Sequence, residues 1–215
     1  LNGGRFPVLE AFRQARRYVQ LLQGATTEYP DDAEFWHELG DAFYHHYPEL
    51  SSTSPTRRQM LDAFDHAIAL DSTLVEPYLH AIDLGLTLEG PEAARKYGKA
   101  YLRHDSTGEY AGSVRLFLRL LDPTQAHDTE TARLLDSLSA PALALARVPF
   151  SAWPDSAETA IRIMRSASHK RPGHDRRWSD PEFVALILAV HLTTRGHLRE
   201  ARAAHDNHWQ LPELA

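Results

Sequence analysis

The chain has no cysteine, no long apolar run and no surplus of positive charge. Without cysteine it cannot form a disulfide, a thiolate zinc site or a cysteine nucleophile. Its longest apolar run, residues 183–190, is far shorter than the roughly 18 residues that a membrane span needs. A net charge of -6 argues against a general nucleic-acid binder, which normally carries a basic surplus.

The composition is that of a folded protein. Hydrophobic residues make up 43% and charged residues 24% of 215 positions, enough to build a sizeable core in one large domain or two small ones. No stretch alternates apolar and polar residues in the manner of a strand, so we expect no sheet. The chain starts at Leu1 without the features of a signal peptide, and we expect it to be a piece of a longer protein.

Two segments repeat at a fixed spacing. Residues 64–72 and 98–106 both end in Asp-Ser, and their aspartates, Asp71 and Asp105, are 34 residues apart. This interval is the period of a repeat made of two helices. The motif Trp-x2-Leu-Gly-x2-Phe, which starts at Trp36, matches the opening of the same repeat.

The phase of this pattern is consistent along the chain. Pro30 precedes Trp36 by six residues, and Ser72 precedes Tyr78 by six. The interval from Pro30 to Ser72 is eight residues longer than the period. The excess falls in residues 47–55, which are rich in proline and serine, and we interpret them as a loop between the two helices of one unit.

Residues 7–121 therefore resemble tetratricopeptide repeats. The resemblance implies an all-α fold, a right-handed α-solenoid of antiparallel helix pairs with about eleven helices. We expect TPR-like repeats over residues 1–123 and divergent helical repeats, continuing the solenoid, over residues 124–215. In the second part, Ala185, Leu188, Leu192 and Ala201 follow the spacing of one further unit, with Gly196 at its turn.

Within the first unit, the apolar residues of the two helices are expected to face each other, because neither helix buries its apolar side alone. Small residues are expected where the helices approach closely. The predicted facing residues are Trp36, Leu39 and Phe43 against Phe64, Ala67 and Ile68, and the predicted small positions are Gly40, Ala67, Ala94 and Ala201.

Several short polar segments predict helix boundaries. Residues of the N-cap type precede apolar runs at 31–32, 72–73, 155–156 and 179–180. Gly90 followed by Pro91 indicates the end of one helix and the start of the next.

The resemblance also implies a binding face, because the first helices of successive repeats line the concave side of such an array. The family's clamp for C-terminal carboxylates needs Lys, Arg and Asn, but His37 and Asp41 stand at these places. Mixed acidic, imidazole and apolar groups instead suit a peptide or partner helix with basic and apolar residues. The predicted partner-binding residues are Glu34, His37, Asp41, Tyr44, His45, Glu76, Leu79, Asp83 and Leu86.

Three other groups of residues are candidate sites. His45-His46 and the pair His205 and His208 have ligand-type side chains, but no feature of the sequence names a third ligand, so we predict solvated histidines and no metal. Residues 168–178 form a basic loop, which either binds an anion or an acidic partner or is simply exposed. Its candidate residues are Lys170, Arg171, Arg176 and Arg177.

No motif of a hydrolase, metalloprotease or phosphate-binding loop occurs, and we predict no catalytic residue and no cofactor. The predicted function is a non-catalytic scaffold for protein–protein interaction, without nucleic-acid binding or membrane insertion.

One alternative is a regulatory or sensor segment, since the repeats resemble C-terminal regions of bacterial serine/threonine kinases and of TPR transcription regulators. A more remote one is a helical metal-dependent enzyme that uses histidines. We expect a soluble, cytoplasmic chain, or an extracytoplasmic one if a membrane-anchored kinase carries it.

Overall fold

The computed structural model describes residues 7–46, 55–152, 156–170 and 181–206. Within these ranges the chain is all-helical without a strand, as predicted, and no helix has the length and apolarity that a bilayer crossing requires. The helices of these ranges are α1 (Pro7–Glu28), α2 (Ala33–His45), α3 (Arg57–Leu70), α4 (Glu76–Glu89), α5 (Pro91–His104), α6 (Ala111–Leu120), α7 (Thr129–Ser137), α8 (Ala140–Ala152), α9 (Ala157–Ser168), α10 (Pro181–Thr194) and α11 (Leu198–Asp206).

The chain divides into two compact units, residues 1–104 and residues 105–215. Unit 1 contains α1–α5, and unit 2 contains α6–α11. The predicted change from regular to divergent repeats at 123/124 concerns the regularity of the sequence, and it stays a prediction. The predicted loop of residues 47–55 lies between α2 and α3, and its residues 47–54 fall outside the described ranges.

In unit 1 the helices pack as consecutive pairs. Helix α2 packs mainly on α3 and α4 mainly on α5, while α1 lies against α2. The predicted apolar faces meet, with Leu39 and Phe43 of α2 buried and with Phe64 and Ala67 of α3 completely inaccessible. Helix α2 also touches α4, so the first helices of the two pairs are neighbours.

Trp36 and Tyr78 make the same hydrogen bond in the two pairs. The indole nitrogen of Trp36 donates to the carbonyl of Pro30 at 2.8 Å, and the hydroxyl of Tyr78 donates to the carbonyl of Ser72 at 3.0 Å. The equal spacing in the sequence thus has a structural counterpart. Trp36 faces α3 as predicted, with its ring 4.2 Å from the ring of His66, but it is only half-buried and its indole nitrogen bonds to the turn before α2.

Gly40 permits a close approach between α2 and α3. A Cβ atom at this position would lie 2.8–3.0 Å from three atoms of the Phe64 ring. Gly85 on α4 has the same relation to α5, since its Cβ atom would lie 2.9 Å from the ring of Tyr97. At both places an aromatic ring of the second helix fills the space that a side chain on the first helix would need.

Polar side chains cap the two helices of the first pair. Asp32 caps α2 as predicted, accepting hydrogen bonds from the amides of Glu34 and Phe35 at 2.9 and 3.2 Å. Thr56 caps α3 in a reciprocal arrangement with Gln59, a capping box that the sequence analysis did not identify. These caps satisfy backbone donors that have no partner within the helix.

The start of α4 differs from the prediction. Gly90 ends α4 with φ of 95°, and α5 begins at Pro91, as expected. Ser72-Thr73 does not cap α4, which begins at Glu76. The amide and hydroxyl of Thr73 donate instead to the Asp71 carboxylate, at 2.8 and 2.7 Å, and form a separate turn.

The structure decides one of the two remaining predicted caps. Ser156 precedes α9 without capping it, because its hydroxyl donates to the carbonyl of Phe150 at 2.9 Å. The other segment, residues 179–180, lies outside the described ranges, as does Asp155.

Unit 2 repeats the pairing of consecutive helices, with α8 on α9 and α10 on α11. Four residues of α9 at helical spacing, Ala160, Ile161, Met164 and Ala167, share one buried face. The residues of the predicted last unit are also buried, and Gly196 forms its turn with φ of 78°. These buried residues are Ala185, Leu188, Leu192 and Ala201.

Candidate functional site

The strongest polar cluster of unit 1 lies between α2 and α4. On α2, Leu39, Ala42 and Phe43 face the core, which leaves Asp41 and His45 on another side of the helix. These two residues are four apart and therefore share a face. We call the cluster that they form with residues of α4 the α2–α4 cluster; its members are Asp41, Tyr44, His45, His80 and Asp83.

One carboxylate joins two imidazoles in this cluster. Oδ1 of Asp41 lies 3.3 Å from Nε2 of His45 on the same helix and 3.2 Å from Nε2 of His80 on α4. One ligand-type atom from each of the three side chains lies within 4.8 Å of the other two. In the described part of the chain this is the single group of three such residues with metal-binding proximity.

Aromatic packing fixes the plane of the His80 ring. The ring stacks on Phe64 with centroids 5.1 Å apart and an interplanar angle of 22°, and Tyr44 lies on it at 4.5 Å. The His80 side chain is 22% exposed, against 55% for His45. His80 is thus the more buried of the two histidines, and His45 is the more exposed.

A second polar contact joins α2 to α4 beside the first. The hydroxyl of Tyr44 donates to Oδ2 of Asp83 at 2.5 Å, in a partly buried position. A hydrogen bond to an ionised carboxylate is short and strong. The contact orients the Tyr44 ring that packs on His80.

The electrostatics of the cluster favour an ionised carboxylate. Burial opposes the charge of Asp41, but the hydrogen bonds from His45 and His80 outweigh it and hold the pKa of this carboxyl well below its usual range. One turn earlier on α2, burial lowers the pKa of His37. The Nδ1 atom of His37 is buried and has no hydrogen-bond partner among the described residues.

The other predicted residues of this face have different environments. Glu34 and Glu76 are exposed, and Leu79 is half-buried. Leu86 is a correction: its side chain is completely buried in the core of unit 1, so it offers no surface to a partner. The face predicted from the Tyr78 anchor extends too far along α4, because near the end of the helix the same direction points into the protein.

His80 is the functional candidate that the sequence analysis missed. It lies one position after Leu79 and four after Glu76, which places it on the same helical face as Asp83. The predicted face on α4 runs from Glu76 in steps of three and four residues, and these steps pass over residue 80. Including all residues at spacings of three, four and seven from Glu76 identifies it.

The remaining predicted candidates lie apart from the cluster or outside the described residues. His46 does not join His45 but contacts the ring of Tyr18, with centroids 6.4 Å apart. Lys170 donates to the carbonyl of Asp136. The other members of the basic loop and of the second histidine pair lie where no side chain is described: Arg171, Arg176, Arg177, His205 and His208.

Unit 2 contains a buried histidine next to a guanidinium. Nη1 of Arg147 lies 3.2 Å from Nε2 of His191. A guanidinium only donates, so we assign His191 as the neutral tautomer that accepts at Nε2. Burial lowers the pKa of His191, and the charge of Arg147 lowers it further.

We expect the stability of unit 2 to fall on mild acidification. The folded state resists protonation of His191, whereas the unfolded chain takes up the proton near its ordinary pKa of about 6.5. The stabilisation is therefore fully present above that pH and is lost as the pH falls below it. Urea unfolding between pH 7.5 and 5.5 should show the loss, and His191→Gln should reduce it. His169→Gln, an exposed control, should not; equal slopes in all three proteins would contradict the assignment.

Because known proteins offer no match, the function has to be inferred from the fold and the α2–α4 cluster. No family model, no curated protein and no solved structure matches this chain. In the described ranges the molecule is all-helical, with consecutive helix pairs in both units and one acidic, histidine-containing cluster in unit 1.

Proposed function

We propose that unit 1 is a non-catalytic protein-interaction module, which binds a basic and partly apolar peptide or helix on the face formed by α2 and α4. The observation that carries the proposal is the contact between these two first helices. It brings acidic, aromatic and imidazole side chains from both helix pairs onto one surface. A segment of a partner that lies across both helices would contact all of them.

The distribution of charge supports a basic partner. Unit 1 has 15 Asp and Glu against 10 Lys and Arg, and so carries -5 of the net charge of -6. The asymmetry is sharper between helices, because α2 and α4 contain six acidic residues and no Lys or Arg, whereas α3 and α5 contain six Lys and Arg. A surface of one sign attracts and orients a partner of the opposite sign.

The exposure of the individual residues gives them different roles. Glu34 and Glu76 are exposed in the first turns of α2 and α4, where they are accessible to a basic side chain. Tyr44 and Leu79 are half-buried and offer apolar surface. Acidic positions beside partly open apolar ones suit a ligand that carries both kinds of side chain.

In this proposal the pairs of unit 1 are tetratricopeptide-type repeats that stack in a right-handed solenoid, with α2 and α4 on the concave side. Three observations support it. The pairs are consecutive in the chain, Gly40 lies against Phe64 in the first pair, and Trp36 and Tyr78 make equivalent hydrogen bonds.

The test is a binding measurement with two matched charge reversals. Fluorescence anisotropy with a library of basic amphipathic peptides should identify ligands, and their affinity should fall with salt. The double variant Glu34→Lys/Glu76→Lys should weaken binding by about tenfold or more, since it places two cations on the proposed face.

The control is Asp62→Lys/Glu92→Lys, which changes the net charge equally but on the second helices α3 and α5. Both control residues are exposed, so the fold should be unaffected. Equal losses in the two double variants would mean that only the total charge matters. Absence of binding by every basic peptide would contradict the proposed function.

A further inference from the structure

We propose that Asp41, His45 and His80 bind one divalent transition-metal ion of the zinc class. The sequence analysis predicted no metal because it identified two adjacent histidines and no third ligand. The fold supplies a different set, in which His45 is joined by Asp41 from its own helix and by His80 from α4. His46 takes no part.

The distances match the edges of a coordination polyhedron. Zinc binds imidazole nitrogen and carboxylate oxygen at about 2.0–2.2 Å, so two ligands of a tetrahedral ion lie about 3.3 Å apart. The distances from Asp41 Oδ1 to the Nε2 atoms of His45 and His80 are 3.3 and 3.2 Å. Two of the three edges therefore already have the required length, and on binding the ion replaces the protons that the two Nε2 atoms donate to Asp41, which leave to solvent.

The remaining adjustment falls on the most exposed ligand. His80 is held between Phe64 and Tyr44, and Asp41 is fixed between the two imidazoles. His45 lies at the end of α2 and is the most exposed of the three at 55%, so we assign the small shift that closes the third edge to its ring. Two preorganised ligands and one adjustable ligand lower the cost of forming the site.

The donor set selects the class of ion. Two imidazoles and one carboxylate suit zinc, cobalt and nickel, whereas calcium and magnesium prefer sites made of oxygen ligands. The partly exposed side chains of Asp41 and His45 leave a coordination position open towards solvent. Structural zinc sites usually have four protein ligands, whereas this cluster offers three and leaves the fourth position to water.

This inference is independent of the proposed peptide binding, although both concern the same face. Metal binding is measured without any peptide, and peptide binding is measured with a chelator present. Each proposal therefore fails separately.

The test is titration of the full chain, prepared without a histidine tag and treated with chelator. Isothermal calorimetry with zinc chloride should show saturable binding of one ion to wild-type protein. Cobalt chloride should produce the visible absorption bands of a coordinated cobalt ion. His80→Gln and Asp41→Asn should each weaken binding by about 100-fold or more, because even outer-shell partners of metal ligands contribute about 10- to 100-fold.

Two further variants make the result decisive. His45→Gln changes the most exposed of the three side chains and leaves the stacking of His80 on Phe64 in place. It should also weaken binding strongly. His46→Gln, at the adjacent position but outside the cluster, should leave the affinity unchanged. Binding that survives both His80→Gln and His45→Gln, or no saturable binding below about 100 µM, would overturn the proposal.

Discussion

Replacing Phe64 by alanine is expected to lower the free energy of unfolding of unit 1 by about 3–5 kcal/mol. Phe64 is completely buried on α3, where its ring contacts Gly40 of α2 and stacks on His80 of α4. The substitution removes a large apolar side chain at the point where three helices meet. The surrounding backbone cannot close the cavity, because each helix is held by its own pairing.

Hydrogen exchange followed by mass spectrometry in increasing urea measures this loss separately in peptides of unit 1. Leu70→Ala is the matched control, since it truncates an apolar residue of the same helix that is 38% exposed. Its effect should be within about 1 kcal/mol. A loss of less than about 1 kcal/mol for Phe64→Ala would mean that the ring is not the centre of this core.

Two glycine-to-alanine substitutions in unit 1 should change stability in opposite directions. Gly40→Ala adds a methyl group within 3.0 Å of the buried Phe64 ring, and overpacking of this kind costs about 1–3 kcal/mol. A gain of about 1 kcal/mol in helix propensity offsets part of it. Gly24→Ala in α1 has nothing within 4 Å of the new methyl group, so the gain in propensity should stand alone.

Thermal unfolding followed by circular dichroism gives the sign of both effects. A melting temperature that rises for Gly24→Ala and falls for Gly40→Ala is the expected result. The double variant Gly40→Ala/Phe64→Leu should relieve part of the packing strain, because leucine leaves room for the methyl group. A rise for Gly40→Ala would contradict the close contact between α2 and α3.

The regular features of the fold were predictable because they depend on local sequence. The six-residue spacing to Trp36 and Tyr78 predicted two equivalent positions, and both make the same type of hydrogen bond. Gly90 and Gly196 have positive φ at the turns where they were expected. Glycine is favoured at such positions because it has no Cβ atom to clash with the backbone.

The exposure of individual residues was less predictable, because it depends on packing between helices. Trp36 was expected to face the core, yet its side chain is only half-buried and its indole nitrogen bonds to the turn before α2. Leu86 was expected on the binding face and is completely buried. A helical period gives the direction of a side chain but not the place where a neighbouring helix covers it.

In the candidate site, too, the local features were predictable and the packing between helices was not. Asp41 and His45 were identified as neighbours on one helix, since their spacing of four residues is a local property. Their partner His80 comes from a helix 35 residues later in the chain than His45. The packing of α2, α3 and α4 brings them together, and the local spacing of residues does not encode it.

The two polar contacts between α2 and α4 also have a mechanical consequence. Asp41 pairs with His80, and Tyr44 pairs with Asp83, so both helices advance by three residues from one contact to the next. The two pairs are also joined by the packing of α3 on α4. Two contacts separated by about one helical turn resist rotation of one helix pair against the other. We therefore expect the two pairs of unit 1 to move as one rigid body when a ligand binds to either of them.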